Sequence, residues 1–593
     1  MGPVPIMVSH APDTSSPATD YDVVIFGGAF SGSSLGLLLK RARPETRVLI
    51  VEKSEAFDRK VGESTSEVAG CFLTRVLGLS HYLSCEHFQK HGLRMWFTTP
   101  DNDCPNCCAE IGPNTQARLP TFQLDRSKLD LHLLEMAEQE GCTVIRPASI
   151  KSFELNGAGK NVIVLKHGGE TRTVSAGWVA DCSGKASLVA RQRGTWRKLE
   201  SHPVHSMWVR FSNVLSLDTH QARVEAPCLK DGPSVARASA TNHLMGRGWW
   251  SWIIPLSNGD FSAGVTWDER LFTPPSDGPV GERVKTHLTG QPIGKLMFKD
   301  AVPAENDARI YKHLPYYSTE VCGDGWILAG DAAGFMDPLY SQGLDYCAHA
   351  TYAAHKILLK ALDGECVKMA LDHHNMIYPQ SYQRWFHALY KNKYQYLGDA
   401  DLMHAAFLMD IATYFIGPVR AVYANADKEY STMPYNGPGG AFFARFMAFY
   451  NRRLEVLARK RLAAGTYGKN NLKHRHLLRM PFETNTKAVR HLFHGMRVWL
   501  KIEAENLFVR PVEGLAEPAA RPAPPVMAKA WRQTWTACSP LPLSLRQPAG
   551  ASTPDSTAGC GNKAAAGCRS PWGRRLTELS ASGGPLRGSV LEF

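Results

Sequence analysis

Between a short apolar run, YDVVIF, and a segment with helical spacing, SSLGLLLKRA, stands the turn Gly27-Gly28-Ala29-Phe30-Ser31-Gly32. A pyrophosphate needs close backbone approach, free N–H groups and the positive end of a helix, and a glycine-rich turn at that junction supplies all three. Twenty residues after Gly32, Glu52 ends the β-run RVLIVE with Lys53 beside it, and an acid there can accept a hydrogen bond from a ribose hydroxyl. Ala29 replaces the middle glycine of G-x-G-x-x-G, a conservative departure. Gly27, Ala29, Phe30, Ser31, Gly32, Glu52 and Lys53 are therefore the candidate dinucleotide-binding residues. Lys90, in FQKHGLRMWF, precedes an aromatic-rich run. A lysine inside a fold is costly unless it has a task or a partner, whereas one at a strand edge is simply solvated. Cys104, Cys107 and Cys108 crowd one Asp/Asn/Pro-rich stretch with only His87 and His91 nearby. Zinc needs four well-placed ligands, so no metal site is expected.

These residues need elements to hold them. Strand, turn, helix and returning strand from Tyr21 to Lys53 make a βαβ unit. SKLDLHLLEMAEQE, residues 127–140, has the spacing of an amphipathic helix. NVIVLKHG, SMWVRFSN and FSAGVTWDE alternate as half-buried strands do and predict an antiparallel layer between about 150 and 300. Residues 345–395 and 400–508 read as largely helical. Beyond residue 512 the composition turns to Ala, Pro, Gly and Ser, the signature of a disordered tail.

Three further segments choose among dinucleotides. GWILAGDAAGFMDP, residues 325–338, resembles the second FAD fingerprint of hydroxylase-type flavoproteins, with Gly330 and Asp331 at the ribityl chain. VADCSG, residues 179–184, resembles their middle fingerprint, and Arg126 matches an arginine that reaches the cofactor. Trp250-Ser251-Trp252-Ile253-Ile254-Pro255 fits the W-x-W-x-I-P motif of the flavin-dependent halogenases. Phe335-Met336-Asp337-Pro338-Leu339-Tyr340-Ser341-Gln342-Gly343 fits their F-x-x-P-x-x-S-x-G motif, and Val61-Gly62-Glu63-Ser64-Thr65 matches the stretch over the flavin. The chain thus resembles the phenol- and pyrrole-type members of that superfamily from Tyr21 to about residue 400.

The resemblance implies an α/β fold: a Rossmann-like FAD-binding βαβ domain of the hydroxylase type, with an inserted β-sheet layer and a helical C-terminal domain. The corresponding boundaries are a flexible lead-in at 1–20, the FAD-binding domain at 21–395 with its sheet inserted at about 200–310, helices at 396–512 and a tail at 513–593. It implies that reduced FAD and O2 convert chloride or bromide to hypohalous acid. The amides of Gln342 and Gly343 would form the halide nest, and Lys90 would relay the oxidant to an electron-rich arene, with Lys60 as the fallback lysine. Trp250, Trp252, Pro255, Glu63, Ser64 and Pro338 are motif positions. Tyr340 stands where tryptophan halogenases carry a glutamate, which argues against free tryptophan and leaves the ring-deprotonating base unassigned. Asp337 and Glu63 read as structural acids beside the flavin. Aromatic stretches at AFLMDIATYFIG and GPGGAFFARFMAFY read first as core, with Phe442, Phe446 and Tyr450 as candidate pocket walls.

Composition bounds the remainder. The chain has 593 residues, 14 scattered cysteines and a net charge of +12. No basic, aromatic-interleaved patch suggests nucleic acid, no run of 18 apolar residues suggests a membrane span, and no secretory leader is visible, so a cytoplasmic enzyme is expected. No nicotinamide site is evident, so a separate flavin reductase is the expected partner, and the arene is either free or carried on a carrier protein. The rival readings are a flavin monooxygenase that matures a partner protein, an isoprenoid (geranylgeranyl-type) reductase and a flavin-storing protein.

Overall fold

The computed structural model describes residues 20–58, 60–99, 104–230, 232–472, 475–478 and 486–509. The lead-in and the 513–593 tail expected from composition lie outside the described residues.

Tyr21–Phe26, Val48–Val51 and Thr143–Ile145 line up in parallel, with Glu170–Asp181 and Trp326–Leu328 on the other side of Tyr21–Phe26. Helices cover both faces of a parallel sheet, so its strands read as continuous apolar runs: Val23, Val24, Ile25 and Phe26 are all buried. The helices Phe30–Ala42 and Arg126–Gln139 pack against each other over this sheet. The second agrees with the amphipathic run at 127–140, and its N-terminus is capped by Asp125, which accepts from the Ser127 amide.

The second layer has nine strands in the order Val302–Pro303, Val204–Ser212, Phe261–Asp268, Trp249–Pro255, Thr241–Gly246, Leu93–Phe97, Ala109–Pro113 and Arg475–Leu478, with Arg309–Tyr311 also on Val204–Ser212. Two of the three strands read from alternation sit here. The third, Asn161–His167, instead pairs with Glu170–Asp181 and extends the first sheet. Alternation reports one buried face and says nothing of which sheet covers it.

The C-terminal helices include Gly343–Leu362, Lys368–Trp385, Ala400–Tyr414 and Gly437–Ala463. Ala400–Ala424 is apolar and long enough to cross a membrane, but 83% of its most apolar window is buried inside the protein, where it forms core.

Candidate active site

The glycine-rich turn has the geometry that a phosphate cradle requires. Gly27 has φ +96°, and a Cβ there would lie 2.6 Å from the Cys182 carbonyl oxygen of the middle fingerprint. A Cβ on Gly32 would lie 1.9 Å from the Gly27 carbonyl oxygen, so only glycine lets the helix start this close to the turn. The Gly28 amide donates to Glu52 Oε2 at 2.7 Å, which fixes the acid at the turn, while Lys53 beside it is exposed. The second fingerprint closes on the first: Gly330 has φ +61°, and a Cβ there would lie 2.2 Å from Ser31 Oγ.

Arg126 is buried, holds Asp130 through Nε and Nη2 at 3.1 and 2.9 Å, and lies 5.9 Å from the Phe30 ring. Its positive charge also acts on Asp331, whose carboxyl is raised by burial despite that field. Gly62 approaches Arg126 so closely that a Cβ would meet Nη1 at 2.8 Å. The turn, Glu52, Arg126 and the 61–65 segment therefore border one groove, and its residues fit FAD. Lys60 belongs to this groove: its Nζ lies 3.9 Å from Asp130 and 4.9 Å from the Phe57 ring centroid.

Two neighbouring cavities adjoin that groove and share one residue. Asp331, Phe335, Gly343, Trp385 and Gln342 line the first. The second, which is partly open, is lined by Gln342 together with Lys90, Glu67, Tyr340, Phe407 and Tyr414 among others. Ser341 has φ +60° and Gln342 is right-handed at φ −84°, ψ 2°, a sequence that turns successive amides inward as an anion nest does. Among the described residues, the Gln342 and Gly343 amides donate to no other group. The Gln342 side chain is anchored from behind, its Oε1 accepting from Trp385 Nε1 at 2.7 Å and Tyr390 OH at 2.9 Å.

Lys90 lies between the strands Phe88–Gln89 and Leu93–Phe97 and is 3% exposed, so it is not a solvated edge lysine. Its Nζ donates to the Thr65 carbonyl oxygen at 2.6 Å, and burial pushes its pKa down to about 8. Glu63 and Ser64, in the same segment, are tied elsewhere: Glu63 takes Arg210 Nη2 at 2.6 Å, and Ser64 Oγ lies 2.9 Å from Thr241 Oγ1.

The two tryptophans face the core rather than either cavity. Trp250 Nε1 donates to Tyr394 OH, which donates to Asp337 Oδ2, each at 2.9 Å, and His202 Nε2 lies 2.8 Å from the same oxygen. Trp252 Nε1 donates to Ser262 Oγ at 3.2 Å, and Pro255 ends the strand against Phe261. The W-x-W-x-I-P strand is thus linked through Tyr394 and Asp337 to the turn containing Pro338, whose carbonyl accepts from the Ser341 amide at 3.1 Å.

One expectation needs correction. Phe442 is 66% exposed, and neither it, Phe446 nor Tyr450 lines the second cavity. Helical spacing reveals a helix face but not its neighbour, and the aromatic wall comes from the other stretch, through Phe407, Ile411, Tyr414 and Phe415.

Two acids that line the cavity, and a third bonded to its wall, lay outside the sequence expectations. Asp410 lies beside Tyr340, accepting its hydroxyl at 2.7 Å and pairing closely with buried Lys393. Asp345 accepts from Ser66 Oγ at 2.7 Å, the Ala69 amide at 2.8 Å and Tyr414 OH at 2.9 Å. Glu67 begins the short helix Glu67–Cys71 and lines the cavity with Lys90. The only signal for Glu67 was its place two residues after the Glu63-Ser64-Thr65 stretch. Among the described residues, no three His, Cys, Asp or Glu side chains converge as a metal site would require, Cys104, Cys107 and Cys108 included.

The FAD-binding domain family matches residues 20–377, more than half of the chain. The chain belongs to this family. FAD is accordingly its cofactor. Among curated proteins, this FAD-binding chain is 26% identical over 390 residues to the 1H-pyrrole-2-carbonyl-(peptidyl-carrier protein) chlorinase of Pseudomonas fluorescens, covering 62% of this chain and 82% of the relative. It is 27% identical over 372 residues to the tetracycline 7-halogenase of Kitasatospora aureofaciens, covering 58% of this chain and 64% of the relative. The solved halogenase PltM, in complex with phloroglucinol and FAD, superposes with a TM-score of 0.60 at 17% identity, over 82% of this chain and 96% of that one. The resemblance to the flavin-dependent halogenases holds in sequence, and the likeness in fold agrees with it.

Proposed function

We propose that this flavoprotein uses reduced FAD and O2 to install chloride or bromide on an electron-rich, phenol- or pyrrole-like arene, with Lys90 relaying hypohalous acid. The observation that carries this reading is the position of Gln342, which lines both the Asp331 cavity and the Lys90 cavity. An oxidant formed beside the flavin would pass Gln342 to reach the lysine. Bound in the groove, reduced FAD supplies the two-electron chemistry by which O2 oxidises halide.

The chain's own residues do the rest. The Gln342 and Gly343 amides hold the halide as a nest of N–H donors. Lys90, as the ammonium, hydrogen-bonds hypohalous acid and protonates the hydroxide that leaves it. Phe407, Ile411, Tyr414 and Phe415 hold the ring by apolar contact and exclude water, the medium in which hypohalous acid would otherwise be lost. The curated relatives are named for a carrier-bound pyrrole and for a tetracycline, so arenes offered free and on a carrier both belong in the assay. A separate flavin reductase delivers the reduced cofactor.

The test is incubation with FAD, a flavin reductase, NADH, O2 and bromide or chloride, followed by mass spectrometry of a phenol and pyrrole panel. Chlorine or bromine isotope patterns in product are expected. Hydroxylated or reduced products, with no halogenation under either halide, would overturn the reading.

A further inference from the structure

Electrophilic substitution has one further step, for which the relay through Lys90 names no first acceptor. Once the carbon–halogen bond has formed, the same ring carbon must lose its proton, and a cavity walled largely by apolar and aromatic side chains offers few acceptors for it. The receiver must be a group already in the wall.

The acids around the cavity differ in how far their oxygens are already engaged. Asp345 is occupied by a hydroxyl, an amide and a phenol; Asp410 by Tyr340 and the Lys393 ammonium. Asp337 serves His202, Tyr394 and the Leu339 amide, and Glu63 serves Arg210. Asp345, Asp410 and Asp337 would each have to weaken such contacts to take a proton, and Glu63, whose Oε2 has no partner, lines neither cavity. Glu67 is different. It is 7% exposed and lines the cavity, and among the described residues its carboxylate accepts from no other side chain; its one hydrogen bond is to its own backbone amide. Its charge and that of Lys90 act on each other, yet the two form no ion pair within 4.0 Å. A buried carboxylate whose one hydrogen bond is to its own amide is expensive to maintain, and the compensation is a ligand or a proton.

Resting on the halogenase reading above, we propose that Glu67 is the base that accepts the ring proton of the arene. The π electrons of the ring carbon form the carbon–halogen bond as the oxygen–halogen bond of hypohalous acid breaks. The departing hydroxide takes a proton from the Lys90 ammonium and becomes water. The ring carbon then releases its proton to Glu67 Oε, the C–H electron pair returns to the ring, and aromaticity is restored. Transfer of that proton back to the Lys90 amine resets both groups, and the sum is ArH + HOX → ArX + H2O. Burial raises the Glu67 pKa, which brings its basicity closer to working pH. Because Glu67 and Lys90 share one cavity without closing on each other, the oxidant and the base can reach the same ring.

The test compares wild type with Glu67→Gln and Glu67→Asp on a resorcinol-type phenol, protiated and ring-deuterated. Two quantities are measured: halogenated product per hypohalous acid released, the latter caught by a soluble trap, and the deuterium isotope effect on product formation. Wild type is expected to show little isotope effect. In Glu67→Gln the product yield per oxidant falls roughly a hundredfold, the lower end for a lost general base, and a primary isotope effect appears because proton loss has become slow. Glu67→Asp recovers part of the yield. A Gln variant with wild-type coupling and no isotope effect would overturn the proposal and leave the halogenase reading intact. Loss of hypohalous acid formation in Gln and Asp alike would assign Glu67 to the fold and overturn it too. Wild type that releases no hypohalous acid and makes no product would instead remove the halogenase reading on which the proposal rests.

Discussion

The indole N–H of Trp250 lies 2.9 Å from the hydroxyl oxygen of Tyr394, and through Tyr394 it holds Asp337 in the turn that leads to Gln342. Two motifs far apart in sequence are therefore one structural unit. Trp250 lies 2% exposed at the centre of it. Replacing it with Phe removes the donor and leaves a void, at a cost of about 2–4 kcal/mol from the lost hydrogen bond and the cavity. Thermal unfolding followed by tryptophan fluorescence should show a lowered midpoint, and an unchanged midpoint would sever the proposed link.

The turn at the cofactor groove makes a sharper prediction. Gly32→Ala places a methyl carbon where the Gly27 carbonyl oxygen already sits. FAD affinity should weaken at least about tenfold, or about 1.4 kcal/mol. Titration of flavin fluorescence against the variant reads this directly.

Asp410→Ala should be more damaging than Lys393→Met, although both break the same ion pair. The alanine variant strands a fully buried ammonium, whereas methionine leaves Asp410 at the cavity with the Tyr340 hydroxyl and with a carboxyl that burial already favours in its protonated form. An uncompensated buried charge costs about 3–5 kcal/mol. Comparison of the two melting temperatures decides the order.

The Lys90 pKa, pushed down to about 8 by burial, has a consequence for pH dependence. The ammonium form that the proposed relay requires predominates below that value and is lost as pH rises through it. Halogenation should therefore decline above about pH 8, well short of the range where an exposed lysine titrates. A profile that stays flat to pH 10 would mean that the ammonium is not needed.

Much of this site was legible because its signals are local. Gly27, Gly32 and Glu52 lie in one βαβ unit, so spacing alone brings turn and acid together. Trp250 and Trp252, two apart on one strand, declare a shared face. Lys90 stands out by its motif context, but its burial comes from tertiary packing, since the short strand Phe88–Gln89 before it is exposed. What spacing could not show depends on packing between distant segments. Asp345 meets Ser66 and Ala69 across more than 270 residues, and Asp410 meets Tyr340 across 70. Phe442 and Phe407 have the same helical signature, and only tertiary contacts turn one to solvent and the other to the cavity. Asn161–His167 alternates like the strands of the second layer but joins the first, because its neighbour in sequence is Glu170–Asp181.

The most direct test of the relay through Lys90 is Lys90→Met, a substitution that keeps an unbranched apolar stem and removes the amine. With flavin reductase, NADH, O2 and bromide supplied, the trapped hypohalous acid and the halogenated phenol are measured in the same reaction. The account predicts that the variant releases oxidant into solution while halogenated phenol falls below detection when the trap is present. Halogenated phenol formed by Lys90→Met at the wild-type rate, with the trap present, would contradict it.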